Sequence, residues 1–297
     1  LTPCLWGFGT WRTAMQTYES VGPVGRNTEL VTRLDLFANL NLTTSDKCIV
    51  GISPLDKNRF TNFTRYSWES HQGEEGGRSE AGVFMRTAFC DGDFGSMFPN
   101  LDPEGQHLID FGYAIGRQRI HYQEGIMIND VLDSVGIVRN TLHAPGISNI
   151  RITGVYAWGS IDRGGPANRQ RLNEPGGLYG LFVQVDDPVT TWGLDFIHVD
   201  DDDNFAGGDS LNIGLSASQR AWTPWSYTSS FNTAYRINAS IADETDSALS
   251  ADGVLVSAEI SWTPHSSDDV VYINPFYGFD QFTQVSREPI VGGPLAP

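Results

Sequence analysis

The stretch Glu29–Leu42 places the tightest limit on what this chain can fold into. Its even positions read Leu30, Thr32, Leu34, Leu36, Ala38, Leu40 and Leu42, while its odd positions include Glu29, Arg33, Asp35, Asn39 and Asn41. Successive side chains of a β-strand point to opposite faces, so this segregation gives one apolar and one polar face. The run lasts 14 residues, whereas strands of soluble domains are usually about 5–6 residues long. A strand crossing a bilayer at a tilt needs about 9–11 residues, and the excess length favours a membrane wall.

The alternation recurs. Ile150, Ile152, Tyr156 and Trp158 segregate from Arg151, Thr153 and Ala157, and Tyr179, Leu181, Val183 and Val185 share a face, as do Trp192, Leu194 and Phe196. Leu211, Ile213, Leu215 and Ala217 oppose Asn212, Gly214, Ser216 and Ser218, and Tyr235, Ile237 and Ile241 oppose Arg236, Asn238 and Ser240. Val254, Val256, Ala258, Ile260 and Trp262 oppose Ser257, Glu259 and Ser261. Further strands are expected at Trp6–Tyr18, Lys47–Ser53, Phe60–Glu69, Glu80–Phe89, Leu108–Ile120 and Val270–Phe282. The total is roughly twelve strands or more, with no comparable run of amphipathic helices. Between Ile126 and Leu142 the spacing of Ile128, Val131, Leu132, Val135, Val138 and Leu142 is helical, while Ser134–Thr141 also reads as a strand. A turn of helix or an irregular insert, followed by a strand, is expected there.

No uninterrupted apolar run exceeds four residues, as at Val155–Trp158 and Val270–Ile273. A transmembrane helix is thereby excluded, but a transmembrane barrel is not, because its signal is alternation. Trp158, Trp192, Trp222, Trp225, Trp262, Tyr227 and Tyr235 fall near strand ends, as in interfacial aromatic girdles. Short connections at Asp186–Pro188 and around Pro145 contrast with long segments at Gln72–Arg78, Asp91–Gly105, Asp162–Gly177, Asp200–Asp209 and Ala242–Asp252. Those long segments hold much of the net charge of −17. The expected fold is therefore all-β, an antiparallel transmembrane β-barrel. Residues 1–297 are expected to form one barrel domain, truncated at both ends or part of a larger barrel. Cys4, Cys48 and Cys90 fit no metal or haem spacing and allow one disulfide at most.

The acidity excludes nucleic acid as a partner, since binding it requires a basic stripe. Arginine outnumbers lysine 17 to 2, which suits positive charge held in fixed hydrogen-bonded forks, although genomic base composition produces the same bias. Arg33, Arg86, Arg151 and Arg236 fall on the polar parity of their strands and are expected to point into a lumen. A paired, merely space-filling role against carboxylates such as Asp35 or Glu259 is equally open.

Gly116-Arg117-Gln118-Arg119-Ile120, followed downstream by Asp133-Ser-Val-Gly-Ile-Val-Arg139, resembles two strands of the alginate-export type of outer-membrane porin. The resemblance implies a barrel whose lumen arginines guide an anionic polysaccharide, with Arg117, Arg119 and Arg139 as the matching positions. Arg117 and Arg119, however, share parity with Phe111, Tyr113 and Ile115, so a β-bulge is needed to turn them inward.

The oxygen-rich stretch Asp200, Asp201, Asp202 and Asp203, with Asp209 nearby, is the candidate Ca²⁺ site; a solvated acidic loop is the alternative. Such loops could also share divalent cations with anionic lipid head groups. No HExxH, Gly-x-Ser-x-Gly or phosphate-loop signature occurs, and His121 with Glu124 is too generic a pair to define an enzyme. No cofactor and no catalysis are expected. The leading expectation is a channel in the bacterial outer membrane. It would contact lipid and lipopolysaccharide and pass a polar, anionic solute. The alternatives are a secreted soluble β-sandwich that binds or hydrolyses carbohydrate, and a barrel that serves as scaffold or sheath for a periplasmic or exported protein.

Overall fold

A computed structural model describes residues 3–19, 26–56, 64–69, 75–79, 82–101, 110–162, 173–201, 208–221, 230–242, 252–264 and 269–288. In chain order the elements are β1 (Cys4–Glu19), β2 (Arg26–Asn41), β3 (Lys47–Ser53), β4 (Arg65–Glu69), β5 (Gly76–Arg78), β6 (Phe84–Asp93), α1 (Phe94–Met97), β7 (Phe111–Tyr122), β8 (Ile128–Ala144), β9 (Ile147–Asp162), β10 (Asn173–Asp186), β11 (Thr190–Asp201), β12 (Ser210–Ala221), β13 (Ser230–Ala242), β14 (Gly253–Thr263), β15 (Val271–Ile273), β16 (Phe276–Asp280) and β17 (Ser286–Arg287). The chain is all-β, and none of its described helices is long and apolar enough to cross a membrane. Its strands pair with their chain neighbours in the antiparallel up-and-down manner from which barrels are built. They fall into two compact units.

The first unit holds β1 to β5, β6 as far as Asp91, and Gly116–Gln118 of β7. β1 and β2 pair along their whole length, from Cys4 opposite Asn41 to Glu19 opposite Arg26. The far edge of β2 is shared: Leu36–Asn41 pairs with β3, and Thr28–Val31 pairs with β4. β3 in turn pairs with β6, and at directly opposed positions Cys48 and Cys90 form the disulfide, leaving Cys4 free and exposed.

The second unit is an antiparallel meander from β8 to β14, with β15 and β16 both laid against β14. β8 turns into β9 through Pro145 and Gly146, and β10 into β11 through Asp187–Val189. β9 and β10, β11 and β12, β12 and β13, and β13 and β14 join through segments that include residues outside those described.

Burial in both units is inverted relative to a soluble sandwich. On β2, Glu29, Asp35 and Asn39 are buried while Leu36 is exposed. On β13, Asn238 is fully buried while its neighbour Ile237 is 47% exposed. Leu181, Leu194, Leu215, Ile241 and Val256 all lie on the exposed parity. Trp158, Trp192 and Trp262 are exposed towards strand ends, as expected; Tyr235 is exposed but lies in the middle of β13, and Trp222, Trp225 and Tyr227 lie outside the described residues. Large water-facing apolar patches are rare on soluble monomers, but an outward apolar band is what a lipid-facing wall requires.

The segment with helical spacing is resolved against the helix. A single 3-10 turn at Gln123–Gly125 precedes β8, in which Ile128, Asp130, Leu132 and Ser134 are buried at every second position. The helical spacing arose because Val131 and Val135, on the other face, interleave with that set.

The polar faces of the second unit are not polar throughout. Leu178, Phe182, Ile197 and Val199 close over an inner layer made by Met127, Ile128, Leu132 and Val285. Val285 belongs to the segment after β16, which leaves the wall and runs inward to β17. The Val285 N–H donates to the Met127 carbonyl, and β17 pairs in parallel with the start of β8. Asn212 donates to the Thr283 carbonyl, and the Thr283 N–H donates to Ser240 Oγ. The strap passes hard against Gly253, where a Cβ would collide with the backbone of Gln281 and Phe282. Glycine is needed there for want of room.

Candidate functional site

In the first unit the polar parity of β1, β2 and β6 assembles a compact charged belt. Asp35, on the buried parity of β2, receives Arg12 Nη2 at 2.7 Å, Arg33 Nε at 3.1 Å and Arg86 Nε at 3.2 Å. The Ser53 hydroxyl donates to Asp35 Oδ1 at 2.5 Å. Asp56, just beyond β3, binds Arg86 Nη2 at 2.9 Å and lies 3.8 Å from Arg33 Nε. Beside this belt, Arg65 pairs with Glu29 at 3.4 Å, and Gln16 also donates to Glu29. Three guanidinium groups thus converge on two carboxylates. Arg33 and Arg86, both read from the sequence as polar-parity residues, meet here on the same two carboxylates. Arg12, Asp35 and Asp56 complete the belt, and Arg12 enters it through the β1–β2 register, which sequence spacing does not fix.

In the second unit a cavity of about 460 Å³ opens on the polar side of β9 to β13. Arg151 and Arg236, both expected as lumen residues, line it. Arg236 is mostly buried and pairs with Glu124 at 3.4 Å, while Arg151 Nε donates to Asn140 Oδ1 at 3.0 Å. Gln123 reaches into the cavity and donates to Asp195 Oδ2 at 2.8 Å. Gln123 and Glu124 both adopt positive φ, 52° and 56°, a costly conformation for residues with a Cβ. That turn aims the two side chains at Asp195 and Arg236. The rings of Tyr122 and Phe182 stack at 3.4 Å and 2° on one side.

The positions implied by the family resemblance fare differently. Gly116 has φ +124° and sits where a Cβ would strike the Ala88 carbonyl, so the backbone of β7 is irregular just before Arg117. The parity nevertheless does not reverse: Phe111 and Ile115 are exposed before it, and Arg119 and His121 after it. Arg119 donates to Asn129 Oδ1, and the Arg117 carbonyl accepts from the Thr87 hydroxyl. Arg139 lies opposite the exposed Ile152 and on the parity of the exposed Ile137. Its guanidinium lies 4.8 Å from the Phe111 ring and donates to the Asp110 carbonyl. Arg139 thus shares the parity of the exposed apolar residues, with its guanidinium over an aromatic ring. Irregular pairing after Arg139 in β8 was invisible in the sequence.

Of the acidic stretch, Asp200 and Asp209 are exposed, Asp201 ends β11, and Asp202 and Asp203 lie outside the described residues. Among the described residues no three His, Cys, Asp or Glu groups converge as a metal site.

No family model and no curated protein matches the chain. Among solved structures it is similar to an anion-selective porin from Comamonas acidovorans, at 10% identity over 93% of this chain and 78% of that one, with a TM-score of 0.44. It is also similar to a loop L8 deletion mutant of OmpT, an outer membrane protein of Vibrio cholerae, at 9% identity over 96% and 95%, with a TM-score of 0.41. A third is Salmonella typhi OmpF in complex with daunomycin, at 10% identity over 93% and 97%, with a TM-score of 0.31.

Proposed function

We propose that the chain forms the wall of an outer-membrane β-barrel channel through which polar solutes pass passively, anions ahead of cations. The observation that carries the reading is inverted burial: long strands present Leu, Ile, Val and aromatic side chains outward and Asp, Asn, Ser and Arg inward. A soluble carbohydrate-binding sandwich needs the opposite arrangement, so that reading is the weaker one. Lipid and lipopolysaccharide would cover the exposed band, with Trp158, Trp192 and Trp262 at its margins.

Anion preference is supported by the belt on β1, β2 and β6. Arg12, Arg33 and Arg86 are held in place by Asp35 and Asp56, so their charge lines the polar side without collapsing across it. Fixed charge beside a hydrated path raises the local concentration of counter-charged solute. Catalysis has no part in this reading, and neither does a metal. A scaffold role toward an exported protein would use the same wall, and solute flux separates the two. The purified chain reconstituted in planar bilayers is expected to give stepwise conductance, with a reversal potential favouring chloride over potassium in a salt gradient. Free solubility without detergent, together with silent bilayers, would overturn the channel. Conductance with cation preference would overturn only the anionic part.

A further inference from the structure

The cavity in the second unit holds four charged groups, and two of them cancel. Arg236 and Glu124 form an ion pair. The other two, Arg151 and Asp195, have no carboxylate or guanidinium within ion-pair distance among the described residues: Arg151 donates to the neutral Asn140 and feels Asp186 only from beyond that distance, and Asp195 accepts from the neutral Gln123. Both line the same space. Arg151 stands opposite Gln184, which stands opposite Gly193, two residues before Asp195 on the same face of β11. Two strand spacings across and two residues along place their Cα atoms roughly 12 Å apart. A long arginine side chain and a short dipolar solute can bridge that gap. Tyr122, hydrogen-bonded to Thr153, lines the same cavity as Arg151 and Asp195. Its ring, stacked on Phe182, supplies an apolar wall beside them.

We propose that this cavity binds a small zwitterion, an α-amino acid with an apolar side chain. Its carboxylate meets Arg151, its ammonium meets Asp195, and its side chain lies against Tyr122 and Phe182. A simple anion satisfies Arg151 but faces Asp195, and a simple cation has the reverse problem. Only a solute carrying both charges gives each of the two groups a direct ionic partner, and each charge-assisted hydrogen bond adds to its affinity.

The site goes beyond the channel reading and is tested without it, by isothermal titration of the detergent-purified full chain. The probes share one body: L-leucine (zwitterion), N-acetyl-L-leucine (anion) and L-leucinamide (cation). Leucine is expected to bind about tenfold or more tighter than either relative. Arg151→Gln should erase its advantage over leucinamide, and Asp195→Asn its advantage over N-acetyl-leucine. Arg151→Lys, which keeps the charge, should retain the preference and serves as the folding control. Equal affinity for the three probes, no heat with leucine, or indifference to both charge-removing substitutions would overturn the proposal.

Discussion

Arg12 donates to Asp35 at 2.7 Å although the two residues do not face each other: in the β1–β2 register Arg12 opposes Arg33, and Asp35 opposes Thr10. Like charges directly opposite on a sheet destabilise it. The diagonal carboxylate resolves that conflict by accepting from both guanidinium groups, with Arg86 and Ser53 joining on its other side. Asp35→Asn preserves shape but removes the charge that holds two opposed arginines. The expected cost is about 3 kcal/mol, the low end for breaking a buried pair because Arg12 is partly exposed. Urea unfolding of the micelle-folded protein measures it, and a change below about 1 kcal/mol would mean that the belt is held by packing.

Gly253→Ala addresses the strap. The added methyl meets the backbone of Gln281 and Phe282, which cannot rotate away as a side chain could. Residues 281–287 should then loosen from the inner layer. Hydrogen exchange at the Val285 amide, now bonded to the Met127 carbonyl, is expected to accelerate while exchange in β9 and β10 stays unchanged.

The turn between β10 and β11 gives a pH prediction. The N–H groups of Val189 and Thr190, and then the Trp192 indole, donate to the Asp187 carboxylate and hold its pKa below the usual value. A depressed carboxylate contributes stability that is present above its unfolded pKa of about 4 and is lost as pH falls through the folded value. Trp192 fluorescence should therefore change from about pH 4 downward. In Asp187→Asn that acid transition should disappear. An identical transition in the variant would assign it to another group.

Ile237→Arg tests the outward face. At mid-strand in a lipid-facing wall the substitution should cost about 2–4 kcal/mol and lower the yield of folded protein in bilayers. On a soluble surface the same change would be neutral or would raise solubility.

Much of this was legible in the sequence for one physical reason: strand parity is a local property. The alternation of Leu34 and Leu36 with Arg33 and Asp35 specifies which face each takes without knowledge of any partner. Where parity failed, long-range contacts had intervened. Leu178, Phe182, Ile197 and Val199 sit on the inward parity because residues 120–132 and 282–287 fold against them, and nothing near β10 or β11 announces that layer. Arg139, by contrast, obeys parity: it shares the exposed face of Ile137, and its guanidinium lies over the Phe111 ring. The Cys48–Cys90 bond follows from register between β3 and β6, which spacing alone does not fix.

The central claim is that the apolar parity meets lipid and the polar parity meets water. Adjacent positions on β12 decide it: Leu215 is 46% exposed, and Ser216 points to the cavity side. A fluorophore placed at Leu215→Cys and, separately, at Ser216→Cys, each in a Cys4→Ser background reconstituted in liposomes, reports its own surroundings. Quenching by brominated acyl chains at 215 and by aqueous iodide at 216 is the expected result. Iodide quenching at both positions, with no effect of brominated lipid, would contradict a membrane wall.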